Sequence, residues 1–92
     1  MTKFRKKPII LDAAQWHEYG DHPRVRLLGI NDNKRARPCP DCGRGLMIHG
    51  VIYTLEGDAI VCPGDFIVTG TEGEAYPVKE RIFGDIYEAV EL

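Results

Sequence analysis

Two cysteines separated by two residues, Cys39 and Cys42, form the pattern in this sequence with the most definite chemistry. Thiolates at this spacing on a tight turn can both bind one metal ion, and the glycine that follows, Gly43, favours such a turn. Zinc in structural sites is held by four sulfur or nitrogen ligands at the corners of a tetrahedron. The pair therefore predicts a zinc site that needs two further ligands.

His49 and Cys62 are the predicted third and fourth ligands. His49 lies at the entry of a predicted β-hairpin, and a two-residue turn at residues 56–57 would place Cys62 on the same face of the hairpin. A shift of that turn by one residue is expected to move Cys62 to the other face. In that case His22 or His17 would be the fourth ligand.

The number of protein ligands decides the chemistry of the predicted zinc ion. Four ligands leave no open position, so the ion would be structural, whereas three ligands and a water would make a zinc-dependent hydrolase possible. Two alternatives need no zinc: unliganded cysteines beside a surface histidine, or a redox dithiol. A redox dithiol normally opens a helix in a βαβ unit, and the sequence predicts no such unit.

Short runs of apolar and β-branched residues between glycine and proline turns predict a mainly β fold, α+β at most. We expect a small antiparallel sheet or a partly closed barrel, with one or two short helical turns and a zinc-stapled loop. The predicted segments are a hairpin of residues 46–55 and 59–62 around the turn 56–58, then strands at 66–69 and 74–78 after the turns 63–65 and 70–73.

The remaining segments are less regular. Residues 8–16 predict a strand buried on both faces, and residues 17–29 fit either a helical turn or a short strand. Residues 30–45 are polar, and a loop of that length in so short a chain is expected to be pinned by the metal. At the end of the chain we expect a helical turn at residues 79–83 and a last strand at 86–90, which could pair with the first strand.

The length of 92 residues predicts one domain, residues 1–92, and the three cysteines with no signal peptide or membrane span predict a cytoplasmic protein. The formal net charge of -2 argues against a general nucleic-acid binder. However, residues 1–44 carry 10 basic and 5 acidic residues, whereas residues 45–92 carry 2 basic and 9 acidic ones. This split predicts either a basic patch for an anionic partner, a contact between subunits, or two halves that neutralise each other within one domain.

Other polar and aromatic residues have both structural and functional interpretations. Asp65, after Pro63-Gly64, is expected to bond its own turn instead of acting in catalysis. A solvated strand face is expected for Glu72, Glu74, Tyr76, Lys79, Glu80 and Arg81. The aromatic residues Trp16, Tyr19, Tyr53 and Tyr76 could stack on a base beside Arg5, Lys7, Lys79 and Arg81, but core positions are the simpler expectation.

Several short motifs resemble those of small phage and prophage proteins of unassigned function. These motifs are Lys6-Lys7-Pro8, Ala14-Gln15-Trp16, Thr54-Leu55-Glu56-Gly57, Pro63-Gly64-Asp65-Phe66-Ile67-Val68-Thr69-Gly70, Gly73-Glu74, Tyr76-Pro77, Lys79, Ile82-Phe83 and Tyr87-Glu88. The chain departs from the family pattern at Phe66, Val78, Glu80 and Ile86, where the family usually has Trp, Cys, Pro and Thr.

The cysteines and histidines are similar to those of a subgroup in actinobacterial phages, which adds them together. The resemblance covers Gly20-Asp21-His22-Pro23, Cys39-Pro40-Asp41-Cys42-Gly43, His49-Gly50 and Val61-Cys62-Pro63. Joint addition is what a metal site requires, so the resemblance favours Cys62 while His22 stays a competitor.

The function expected from these features is that of a non-enzymatic phage accessory protein. It would be a zinc-stabilised, β-rich binding module in the infected bacterial cytoplasm, homo-oligomeric, acting on a host protein or a small anionic ligand such as a nucleotide. One alternative is nucleic-acid binding through Arg24, Arg26, Lys34, Arg35 and Arg37. The other alternative is the zinc-dependent hydrolase.

Overall fold

A computed structural model describes residues 1–5, 7–28 and 37–90 of the chain as two antiparallel sheets of three strands each. The strands are, in chain order, β1 (Asp12–Gln15), β2 (Arg26–Leu27), β3 (Gly50–Thr54), β4 (Gly57–Val61), β5 (Phe66–Thr69) and β6 (Ala75–Val78). One sheet has the order β1-β5-β6 and the other has the order β2-β3-β4. A short 3-10 helix, Leu46–Ile48, precedes β3, and one α-helix, α1 (Glu80–Ile86), follows β6.

The mainly β prediction is confirmed, and the strands in the described residues form two open sheets instead of a closed barrel. The hydrophobic core lies between the two sheets and takes side chains from both. Its buried members are Trp16, Val25, Ile52, Val61, Ile67 and Ala75, with Ala59 packed against them. Burial of such apolar side chains is the main stabilising contribution that strands this short can obtain.

The β3–β4 hairpin sets the position of the candidate site. Its two-residue turn is Leu55–Glu56, one residue earlier than predicted, because Thr54 pairs with Gly57. The Thr54 hydroxyl donates to the Gly57 carbonyl at 2.7 Å, and Gly57 takes a φ of +110°, which favours glycine. These two features fix the turn at that point.

The earlier turn does not move Cys62 to the other face of the hairpin, so that expectation was wrong. Shifting a two-residue turn by one position changes the strand pairing by two residues, and side chains repeat their face every two residues. The last strand pair is Gly50 with Val61. His49 and Cys62 each lie one residue beyond this pair, at the same end of the hairpin.

The first predicted strand is shorter and more exposed than expected. Only residues Asp12–Gln15 form β1, and the side chains of Ile9 and Ile10 are 57% and 63% exposed. The partner strand β5 ends at Thr69, which pairs with Asp12, and the chain then turns away through residues 70–73. Residues 8–11 therefore lie beyond the end of β5 and do not pair with it. The prediction that residues 8–16 form a strand buried on both faces was wrong.

The last strand predicted at residues 86–90 is not formed. The helix α1 extends beyond the predicted helical turn to Ile86, and residues 87–90 have neither helix nor strand, so within the described residues β1 pairs with β5 alone. The ring of Phe83 stacks on Phe66 at 3.9 Å and on Tyr87 at 4.8 Å between centroids. Because residues four apart share a helix face, this aromatic stack favours helical backbone over an extended strand. The undecided segment 17–29 contains the short strand β2, and residues 30–36 of the predicted loop 30–45 lie outside the described residues.

Gly50 is expected to tolerate no side chain, because its backbone passes close to the core. A Cβ atom there would overlap with Val25 Cγ1 and lie 3.1 Å from Trp16 Cζ2, and both side chains are buried. We expect Gly50→Ala to lower the free energy of unfolding by about 1–3 kcal/mol in urea denaturation. In contrast, Gly84→Ala on α1 meets no atom within 4 Å and should raise it by about 0.5–1 kcal/mol. Equal effects at the two positions would contradict this packing.

Candidate metal centre

Four side chains from three segments converge at one end of the β3–β4 hairpin. The ligand atoms of Cys39, Cys42, His49 and Cys62 all lie within 4.8 Å of one another. Cys39 Sγ is 3.6 Å from Cys62 Sγ, and Cys42 Sγ is 3.1 Å from His49 Nε2. The four residues are those that the sequence singled out.

A tight turn places the first two cysteines. The Gly43 N–H donates to the Cys39 carbonyl at 2.9 Å, the Cys39 N–H donates to the Arg44 carbonyl at 2.7 Å, and Gly43 has a φ of +79°. A left-handed glycine at this position lets the backbone reverse directly after Cys42. The Asp41 N–H also points at Cys39 Sγ at 3.4 Å, so the turn supplies a hydrogen-bond donor to that sulfur.

The ring of His49 is oriented by a hydrogen bond to the backbone. Its Nδ1 lies 2.9 Å from the carbonyl oxygen of Gly45, and a carbonyl can only accept, so Nδ1 carries the proton. When the ring also carries a proton on Nε2, that nitrogen donates to Cys42 Sγ, which lies 3.1 Å away; once that proton is lost, the Nε2 lone pair is free to bind a metal. A histidine ligand held in this way by a carbonyl is the usual arrangement in protein metal sites.

Cys62 is surrounded by a second group of polar side chains. The Lys79 ammonium donates to Cys62 Sγ at 2.9 Å and to the two Asp65 carboxylate oxygens at 3.2 and 3.3 Å. The Asp65 carboxylate accepts in turn from the Cys62 N–H at 2.9 Å, which confirms that Asp65 bonds its own turn. Lys79 and Asp65 therefore hold both the backbone and the sulfur of Cys62.

The surroundings of Cys42 and Cys62 shift the pKa values of the two thiols in opposite directions. Burial raises the pKa of Cys62 to about 12; the Lys79 hydrogen bond lowers it, and the neighbouring Cys39, Cys42 and Asp65 raise it further. Burial also raises the pKa of Cys42, but hydrogen bonds from Arg44 and His49 outweigh it and lower the value to about 6. The two sulfurs consequently differ in how readily they lose a proton without a metal.

This difference predicts the order of alkylation in reduced, metal-free protein. At pH 7 Cys42 is mostly thiolate and should react with iodoacetamide well before Cys62, because the thiolate is the reactive form. The modified residue can be identified by peptide mass spectrometry at increasing reaction times. Faster labelling of Cys62 than of Cys42 would contradict the described environments.

The donor set suits a tetrahedral metal ion of intermediate softness. Three thiolates and one imidazole are ligands typical of structural zinc, and a Zn–S bond of about 2.3 Å places two sulfurs about 3.8 Å apart. The observed separation of Cys39 and Cys62 is close to that value. Cys39, His49 and Cys62 are buried, whereas Cys42 is half-buried and lines a surface cleft together with Cys62.

The other candidate residues lie elsewhere. His22 Nδ1 accepts a hydrogen bond from the Arg24 N–H. Within the described residues, neither His22 nor His17 belongs to the metal-binding cluster. Trp16 is in the core as expected, whereas Tyr19 and Tyr53 are exposed. Arg24 donates to the Gly73 carbonyl and Arg26 to Asp58, while Lys34 and Arg35 lie outside the described residues.

Sequence reasoning missed the part that Lys79 plays in this site. Lys79 is 17 residues from Cys62 and was assigned to a solvated surface with five neighbours. The signal that could have found it is the pairing of β5 with β6. This pairing places Phe66 opposite Val78, so the residues just outside the pair, Asp65 and Lys79, are brought together.

Comparison of the chain with protein-family models, with curated proteins and with solved structures gives no match. Within the described residues, no helix has the length and apolar character needed to cross a membrane. The geometry of the four-residue centre is therefore the observation on which a functional conclusion must rest.

Proposed function

We propose that Cys39, Cys42, His49 and Cys62 hold one structural zinc ion, and that the protein is a zinc-stabilised, β-rich binding module. The observation that carries this proposal is the convergence of three sulfurs and one ring nitrogen within 4.8 Å. The three free thiols lie close together beside a histidine whose Nδ1 is already hydrogen-bonded. One metal ion could bind the three sulfurs and the remaining ring nitrogen at the same time.

The charges around the centre support zinc in a structural role. Three thiolates and a divalent ion carry a net charge of about -1, and the Lys79 ammonium, which is shared between Cys62 and the Asp65 carboxylate, offsets part of the negative charge. Four protein ligands also leave no position for an activated water. The hydrolase alternative is thus the less favoured one.

A cleft beside the centre favours a small anionic ligand, such as a nucleotide, among the possible partners. The cleft has a volume of about 500 Å³, and three basic side chains, Arg44, Lys79 and Arg81, line it with Asp65 and Glu80. Lys79 is already bonded to Asp65 and Arg44 donates to the Pro63 carbonyl at 2.8 Å, so we expect Arg81 to contribute most to binding a ligand. The phage resemblance supplies the setting of this proposal, an accessory protein in an infected bacterial cytoplasm.

Elemental analysis of the purified protein tests the zinc proposal. We expect one zinc per chain, and we expect a strong chelator to remove it together with a large fall in Tm, since metal-binding energy contributes directly to folding. A protein that is purified from zinc-supplemented medium without metal, and that melts at the same temperature with and without chelator, would refute it.

Isothermal titration calorimetry with ATP and with inorganic phosphate tests the cleft. We expect binding that weakens in Arg81→Gln, whereas Arg5→Gln on the exposed N-terminal segment should bind as tightly as the wild type. Absence of binding to both probes, or equal loss in the two variants, would show that the cleft is not an anion site.

A further inference from the structure

The N-terminal arm, defined as residues 1–11, precedes β1 in the chain. The described part of this N-terminal arm, residues 1–5 and 7–11, has no strand or helix, and each of residues 1–5 and 7–10 is exposed. The large apolar side chains of Phe4, Ile9 and Ile10 are 93%, 57% and 63% exposed. By sequence the arm carries four basic residues and no acidic one.

A second cleft, of about 500 Å³, has the opposite character. It is formed by the β3–β4 turn together with residues of β4, of β6 and of the turn before β6. Its lining contains two acidic residues and no basic one. The residues that matter here are the apolar Leu55, Ala59, Ala75 and Pro77 and the acidic Glu56 and Glu74.

We propose that this acidic cleft binds the N-terminal arm of a second copy of the chain. Ile9 and Ile10 would enter the apolar part of the cleft, and the basic residues on the arm would lie against Glu56 and Glu74. The Glu74 carboxylate is held in place by the Glu72 N–H at 3.0 Å, so that acid requires little ordering on binding. The volume lies in the range of about 300–1,000 Å³ that is usual for binding pockets.

The topology allows two copies to exchange arms reciprocally. The arm joins β1 at Asp12, and Asp12 pairs with Thr69, which pairs on its other side with Ala75 at the cleft. Asp12, where the arm joins β1, and Ala75, which lines the cleft, thus lie at the same end of one sheet. Each copy can therefore give its arm and receive another across one two-fold axis, which is the common geometry of homodimers.

Complementary charge favours the arm over an anionic occupant of this cleft. Two carboxylates at the rim would repel a phosphate, whereas they attract lysine and arginine. The arm also carries apolar and basic side chains close together in sequence, and residues 1–5 and 7–10 are exposed in the single chain. The cleft and the arm lie apart from Cys39, Cys42, His49 and Cys62, so this inference does not depend on the zinc proposal.

Sedimentation equilibrium of the full-length protein tests the exchange. We expect a dimer for the wild type and a monomer for the double variant Ile9→Asp, Ile10→Asp. The control is Ile86→Asp, because Ile86 on α1 has the same exposed fraction as Ile9, 57%, and lies outside the arm and the cleft lining. A monomeric wild type, or a dimer that survives both arm substitutions, would overturn the proposal. A monomeric wild type is also the result expected if each arm folds onto its own chain, so that arrangement would count against the proposal.

Exchanging the charges gives a second test that does not remove apolar surface. Glu56→Lys should raise the dimer dissociation constant by about two- to fivefold at low salt, as expected for one exposed ion pair. Adding Lys7→Glu to that variant should restore most of the lost affinity. Additive weakening by the two substitutions would overturn the pairing of the arm with this cleft. Zinc content measured in every variant separates a failure of dimerisation from a failure of the metal centre.

Discussion

The Cys62→Ser variant is expected to lose both its metal and much of its thermal stability, whereas His22→Ala is expected to keep both. Cys62 supplies one of the four converging donor atoms, and its side chain is almost fully buried. A structural zinc ion contributes about 10–16 kcal/mol of apparent binding free energy in small zinc-dependent folds, so a site with three ligands should be greatly weakened. A loss of about 3 kcal/mol in a chain of this size would lower Tm by about 12–24 °C.

Two measurements made together distinguish this expectation from a simple packing defect. Zinc per chain and Tm should fall together in Cys62→Ser, and the difference in Tm from the wild type should nearly vanish when both proteins are measured in excess chelator. A packing defect would persist in the chelator. His22→Ala provides the matched control, since His22 is the histidine that competed for the fourth position. If His22→Ala lost zinc while Cys62→Ser kept it, the ligand set would be wrong.

The grouping of the four candidate ligands could be predicted from the sequence, because it depends on which face of the hairpin each residue occupies more than on the exact strand register. Two cysteines separated by two residues fix half of the site locally. The other half required only that His49 and Cys62 lie on the same face of one hairpin. That condition still holds although the turn lies one residue earlier than predicted, because moving a two-residue turn by one position leaves every side chain on the same face.

The surroundings of the site could not be predicted, because they depend on where strands end. Residues 8–11 are as apolar and β-branched as a buried strand, yet β5 turns away at Gly70 and leaves them without a partner. Likewise, the helix α1 forms because Phe83 stacks between Phe66 and Tyr87, a contact between distant residues that periodicity does not reveal. Local pattern predicted the kinds of element, and long-range packing decided their limits.

Lys79→Met is expected to lower the free energy of unfolding by about 2–4 kcal/mol and to weaken zinc retention. The substitution keeps most of the side-chain length but leaves the buried Asp65 carboxylate without its cation, and breaking such a pair usually has an effect of about 3–5 kcal/mol. The expected value is somewhat smaller because the Lys79 side chain is 32% exposed, so solvent screens part of the interaction. Urea denaturation and zinc release to a competing chelator measure the two effects.

The pH dependence of the Lys79 effect has a definite sign. Burial alone would lower the pKa of Lys79, but its hydrogen bonds to Cys62 and Asp65 outweigh burial and hold the pKa above its ordinary value of 10.5. A cation whose pKa is raised on folding stabilises the fold fully below the unfolded pKa and loses that contribution as pH rises through the folded value. The stability difference between wild type and Lys79→Met should therefore be constant near pH 7 and shrink only above about pH 10.5.

Two control variants separate the charge of Lys79 from its packing. Lys79→Arg retains a cation and should keep most of the stability, although its planar head fits the sulfur and the carboxylate less well. Arg81→Met removes a neighbouring exposed cation from the same cleft and should change the free energy of unfolding by less than about 0.5 kcal/mol. If Lys79→Met behaved like Arg81→Met, the contacts of Lys79 with Cys62 and Asp65 would have no role in holding the centre. If instead it alone lost zinc and stability, the lysine would be the residue through which α1 and β6 are coupled to the metal.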